Sequence, residues 1–188
     1  MDLTFPLSFG GRKILYLAAR DVAQNNSGWQ AAGSWEAPGV RQTALFPISV
    51  FPWRGSGLTQ TFTFTFNDNR GFADLGVVNI LINDFLDGRR SCYLAYNRVE
   101  NTLYLVNDDD TALLPGLVLN GSGSVGNSQC TVSGKGSSVD ASFNFLHLTL
   151  SVTFAPSFAG NRVIYMAARD NADIFTSGWE AMGTWLVE

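Results

Sequence analysis

Apolar and polar residues alternate strictly along residues 57–68, GLTQTFTFTFND. Phe62, Phe64 and Phe66 fall on one side, and Thr59, Thr61, Thr63 and Thr65 on the other. A period of two predicts a half-buried strand, here with a threonine face toward water. Residues 146–154, LHLTLSVTF, repeat the pattern: leucines, Val152 and Phe154 point inward, and His147, Thr149, Ser151 and Thr153 outward. VVNILIN at 77–83 is apolar on both faces and reads as a central strand. SCYLAY (91–96) and TLYLVN (102–107) flank NRVEN and predict a hairpin. LFPISV (45–50) predicts an edge strand, because Pro47 cannot donate to a ladder. The run Asp68-Asn69-Arg70-Gly71 reads as a turn. No segment has the 3.6-residue period of an amphipathic helix. Short strands with frequent turns predict an all-β, Ig-like Greek-key sandwich, with a jelly roll as the alternative.

Two stretches are copies of one another. Residues 12–35 read RKILYLAARDVAQNNSGWQAAGSW and residues 161–185 read NRVIYMAARDNADIFTSGWEAMGTW. The match extends upstream, with Thr4-Phe5 against Thr153-Phe154 and Ser8-Phe9 against Ser157-Phe158. The offset is about one domain length, which predicts a piece of a tandem array. Residues 1–38 then read as the end of one unit, a half-copy of three strands. Residues 39–188 read as the next unit, complete, with Ala37-Pro38-Gly39 as the linker.

Composition narrows the partners. Apolar residues make up 46% of the 188, enough for a sizeable core, while charged residues are only 15%. The surface is therefore covered largely by Thr, Ser, Asn and Gly. A net charge of -4 without a basic cluster argues against nucleic-acid binding and against anionic membranes. No apolar run is long enough for membrane insertion. The N-terminus, MDLTFPLSFGG, lacks the plan of a signal peptide, so an exported protein would carry its address elsewhere.

Several segments together carry a resemblance: TQTFTFTFNDNRGFADLGVVNILIN, CYLAYNRVENTLYLVNDDD, NSQCTVSGKGSS, FAGNRVIYMAARD and SGWEAMGTW. The chain resembles a repeat module of about 150 residues found in large predicted extracellular proteins of soil bacteria, itself similar to Ig-like or fibronectin-like domains. The resemblance spans roughly residues 55–187, with 3–36 as a partial copy. It implies a sandwich fold and an extracellular or cell-surface location, and it carries no chemistry.

The candidate chemistry is sparse. Cys92 and Cys130 predict one disulfide in an oxidising compartment. In an Ig-like sandwich the loops holding Asp68, Asp74, Asp170 and Asp173 share one end, where hard oxygen ligands could gather calcium. The weightier reading of those residues is turn chemistry, since Asp caps its own backbone. Asp108, Asp109 and Asp110 read as a solvated acidic turn. His147 is the only histidine and sits on an outward strand face, so no Ser-His-Asp triad is legible. Trp53, Trp179 and Trp185 could form a sugar-stacking platform. Trp179 and Trp185 are six apart and would then face one side, although core packing is the stronger reading. Asp84, Asp87, Glu100 and Glu180 offer carboxylates for glycoside hydrolysis without a motif.

The leading expectation is a non-catalytic extracellular module for adhesion, spacing or ligand binding. A carbohydrate-binding or glycan-hydrolysing module is the alternative. Residues 3–35 should leave one face bare through Phe5, Leu7, Phe9, Leu15, Leu17, Trp29 and Trp35. A homodimer through that face is the expected remedy. The other remedy is a permuted pairing, in which 3–35 displaces the C-terminal copy.

Overall fold

The two alternating segments pair with each other, and the pairing explains the core. A computed structural model describes residues 2–39 and 43–188. Strand β5 (Thr59–Asp68) lies antiparallel to β12 (Phe145–Phe154), with Phe62 opposite Leu150, Phe64 opposite Leu148 and Phe66 opposite Leu146. All six are fully buried. Each such side chain contributes about 1.5–3 kcal/mol by leaving water. On the other face the polar partners bond across the strands: Thr59 with Thr153 at 3.2 Å, Thr63 with Thr149 at 3.0 Å, and Thr65 with His147 at 3.1 Å.

The protein is an all-β sandwich. Its first sheet has the order β10 (Ser124–Gly126), β11 (Cys130–Ser142), β12, β5, β3 (Leu45–Phe51). β3 is at the edge, as Pro47 requires. The second sheet has the order β4 (Arg54–Ser56), β14 (Glu180–Val187), β13 (Gly160–Asp170), β6 (Leu75–Asn83), β7 (Cys92–Asn97), β8 (Thr102–Leu105), β9 (Leu117–Val118). Strands β6, β7 and β8 form a meander, and β13 returns beside β6. That is the Greek-key order. The apolar run at 77–83 is central, with β13 on one side and β7 on the other.

Cys92 opens β7 in one sheet and Cys130 opens β11 in the other. They form a disulfide with Cα atoms 5.5 Å apart and a sequence separation of 38. It staples the two layers at one end.

The N-terminal half-copy has two strands, β1 (Gly11–Leu17) and β2 (Gln30–Ala37), after a single 3-10 turn at Leu7–Phe9. The expected third strand does not form. Its counterpart in β12 is held on both sides by β5 and β11, and residues 2–6 have neither neighbour. Ala37 belongs to β2 and is buried, so the linker begins at Pro38. Residues 40–42 lie outside the described residues. The C-terminal copy keeps its place in the core, and the permuted pairing is not what the chain adopts. Among the described residues no helix is long and apolar enough to cross a membrane.

Candidate functional site

The two copies fold alike down to their irregularities. β1–β2 and β13–β14 are both antiparallel hairpins with one bulge, between Leu15 and Tyr16 in the first and between Ile164 and Tyr165 in the second. The loop of each is held by one serine. The Ala19 N–H donates to Ser27 Oγ at 2.8 Å, and the Ala168 N–H donates to Ser177 Oγ at 2.9 Å. Gln24 and Asp173 occupy the same left-handed position, with φ of 70° and 57°. Lys13 lies over the Phe9 ring at 4.7 Å, as Arg162 lies over Phe158 at 4.1 Å.

The first hairpin packs on the second, outer face to outer face. Ala31 and Ile14 join Ala181, Val163, Tyr165 and Leu81 in a small apolar cluster separate from the main core. Burial, reinforced by a hydrogen bond with Tyr16, pushes the Tyr165 hydroxyl well above its ordinary 10. The Asn161 side-chain amide donates to Gln30 Oε1 at 3.0 Å. Arg12 anchors the hairpin to the body through its bond to the Ile48 carbonyl at 3.2 Å and pairs with Glu36 at 2.9 Å.

The seam carries two cavities of similar size. One, of about 760 Å³, is lined by Leu17–Ala19, Ser27 and Gln30 of the hairpin with Asn161, Thr184 and Leu186 of the copy, and by Arg54–Ser56 of the β4 edge. The other, of about 800 Å³, is lined by Arg12, Lys13 and Glu36 of the hairpin with Ser177, Trp179 and Glu180 of the copy. Some lining positions correspond when the copies are exchanged: Ser27 answers Ser177, Gln30 answers Glu180, Leu186 answers Glu36, and Asn161 answers Arg12. Arg54 is the charged residue lining the first, whereas Arg12, Lys13, Glu36 and Glu180 line the second.

The loop aspartates do converge, on an arginine. The Arg70 guanidinium meets Asp68 at 3.4 Å, Asp74 at 2.7 Å and Asp170 at 3.6 Å, and lies 5.1 Å from the Phe175 ring. Hydrogen bonding to Asp68 raises the Arg70 pKa. Burial works against ionising Asp170. The amides of Phe175 and Ile174 and the charge of Arg70 outweigh it and hold that carboxyl below its ordinary 3.8. Asp173 stands apart, paired with Arg169 at 2.9 Å. The positive charge that these acids were expected to seek is thus supplied by the turn residue between them. Among the described residues no group of His, Cys, Asp or Glu is placed to hold a metal.

The tryptophans do not form a platform. Trp185 is buried in the main core, edge-on to Phe62 at 5.0 Å. Trp179 packs on the opposite face, edge-on to Tyr93 at 5.7 Å. The bulge reverses the parity of β14 between them, so a spacing of six does not keep them on one side. Trp53 is exposed before β4.

Other acids are engaged structurally. Asp84 pairs with the buried Arg162. Asp87 bonds Arg89 at 2.5 Å, which lowers its pKa to about 2. Glu100 accepts from the Tyr104 hydroxyl at 2.7 Å. Asp108 accepts from the Ser128 N–H at 3.2 Å, and Asp110 closes a turn onto Asn107. A polar cleft of about 460 Å³ lies between Asp84, Asp87, Arg89 and Arg162. Sequence reasoning missed Arg162; the cation four residues after a phenylalanine, present in both copies, was the signal. No protein-family model matches the chain, and no curated protein does.

Proposed function

We propose that this chain is part of an extracellular tandem array, a non-catalytic Ig-like module serving adhesion, spacing or ligand binding. The observation that carries the reading is the recurrence of one hairpin at an offset of 149 residues at Gly11 and Gly160, and 150 at Gln30 and Glu180. A repeat kept in register, bulge and loop bonding is a structural period, as in stacked-repeat proteins. The inter-sheet disulfide and the threonine-lined outer face suit an oxidising, extracellular setting. Asp68, Asp74, Asp84, Asp87, Asp170 and Asp173 are tied into ion pairs and His147 is bonded to Thr65, which favours a scaffold over a catalyst.

The test is a panel of cell-wall and plant polysaccharides incubated with the full chain, read for both retention and new reducing ends. Retention without turnover, or neither, fits a module. Release of reducing sugar would overturn the non-catalytic reading.

The same reading assigns a homodimer to the isolated chain. Leu15 is 52% exposed, Leu17 65% and Trp35 39%. Their counterparts Ile164, Met166 and Trp185 lie in the core at 0%, 0% and 3%. A second copy covers that bare inner face. Light scattering should report a dimer that Leu15→Thr with Leu17→Thr dissociates. A monomeric parent chain would contradict it.

A further inference from the structure

We infer that the outer face of the β13–β14 hairpin is a homotypic docking surface, occupied here in cis by a copy of itself and able to take the same face of a second module. The inference rests on the array reading only for its biological use, because the contact itself is between two copies of one sequence.

The contact has the reciprocity of a two-fold interface, in which each patch meets its own equivalent. β2 lies over β14, while β1 meets β14 and β2 meets β13. Ala31 and Ala181, equivalent positions, share one cluster with the equivalent pair Ile14 and Val163. Tyr165 lies in that cluster, and the hydroxyl of its equivalent, Tyr16, reaches across the seam to donate to the Asp84 carbonyl at 3.5 Å. The Gln30–Asn161 bond has its mirror partners, Glu180 and Arg12, lining one cavity. A surface that accepts its own copy in this way is self-complementary, so two complete modules can form the same contact. They would form a larger one. Leu81, Tyr93 and Trp179 border the patch on the body side, and the N-terminal hairpin has no counterpart of the first two, which leaves its Trp29 74% exposed. Between whole modules both sides bring these residues.

An isologous contact closes on itself. A module that has paired with its neighbour has no such face left for the next one. Modules of an array built from this unit therefore pair back to back in twos, and the N-terminal hairpin here acts as a cap on one half of such a pair.

The test uses the full chain in three forms, followed by sedimentation velocity over a concentration series: parent, Ala31→Arg, and Ala31→Arg with Ala181→Arg. Ala31→Arg places a charge in the seam and frees the β13–β14 face, whether the hairpin detaches or melts. The expected result is a concentration-dependent doubling of whatever mass the parent shows, and its abolition by the second substitution. Hydrogen exchange at Val163 and Ala181 in dilute protein should quicken in both variants. Quicker exchange with no doubling would overturn the inference. A doubling that survives Ala181→Arg would also overturn it, because the released hairpin would then be the adhesive. Exchange unchanged from the parent would overturn it as well, because the hairpin would then not occupy that face. None of these outcomes affects the polysaccharide assay, so failure here is separable from failure of the module reading.

Discussion

β1–β2 and β13–β14 differ mainly in their surroundings. The bulge, the serine-held loop and the cation over a phenylalanine recur, because they depend on residues within each copy. What depends on neighbours diverges. β13 runs on to Asp170 because β6 pairs with it, whereas β1 stops at Leu17 and, among the described residues, pairs with β2 alone. A Cβ on Gly183 would stand 2.4 Å from the Trp53 carbonyl oxygen, while one on Gly33 would meet nothing within 4 Å. The conserved aspartate shows the same split. Asp21 is held below 3.8 mainly by the Asn25 side-chain amide, whereas Asp170 also draws on Arg70 from another loop. Local hydrogen bonding fixes the shape of a hairpin; the sheet beside it decides which face is core.

The largest test of that separation is a matched pair of truncations. Trp185→Ala should cost about 3–5 kcal/mol of global stability, as expected for emptying a packed core site. Trp35→Ala, at the equivalent position and read at a dilution where the chain is monomeric, should cost less than about 1 kcal/mol. Urea unfolding followed by circular dichroism measures both, and equal losses would mean that the two copies are buried alike.

The disulfide belongs to the body alone. Replacing Cys92 and Cys130 with Ser should lower stability by about 2–4 kcal/mol, as for opening a loop of this size. Intact mass of the parent after alkylation without reductant should show no modified cysteine.

A smaller effect separates the aspartates by pH. A lowered carboxyl pKa contributes stability above the unfolded value of 3.8 that is lost as pH falls through the folded one. Arg70→Ala should therefore raise the pH at which Asp170 protonates, and with it the acid limit of the fold, and leave Asp21 unmoved. Carboxyl carbon shifts followed by NMR titration read both residues in one sample. A common shift would contradict the separate origins.

Much of the fold was legible because it is local or periodic. The alternation at 57–68 and 146–154 identified both faces of β5 and β12, Pro47 put β3 at an edge, and two cysteines implied one disulfide. The site was less legible because it depends on parity and on neighbours. A single bulge sent Trp179 and Trp185 to opposite faces, and no count along the sequence shows a bulge. The clustering of Asp68, Asp74 and Asp170 was foreseeable from loop topology, but not that the residue between the first two supplies their cation. The docking of one copy on the outer face of the other was not legible, because only the inner face of 3–35 carries a conspicuous apolar pattern. Ala31, Ile14 and Tyr16 looked like the ordinary outside of a strand.

The most direct check on the account is whether the two copies touch as described. In the full chain, aromatic nuclear Overhauser contacts between Tyr16 and Tyr165, and aliphatic contacts from Ile14 into the cluster of Val163 and Ala181, are predicted. They should be intramolecular in a sample mixed with unlabelled protein. Absence of these contacts, or their replacement by contacts from Leu15 and Leu17 to the phenylalanines of β5, would contradict it.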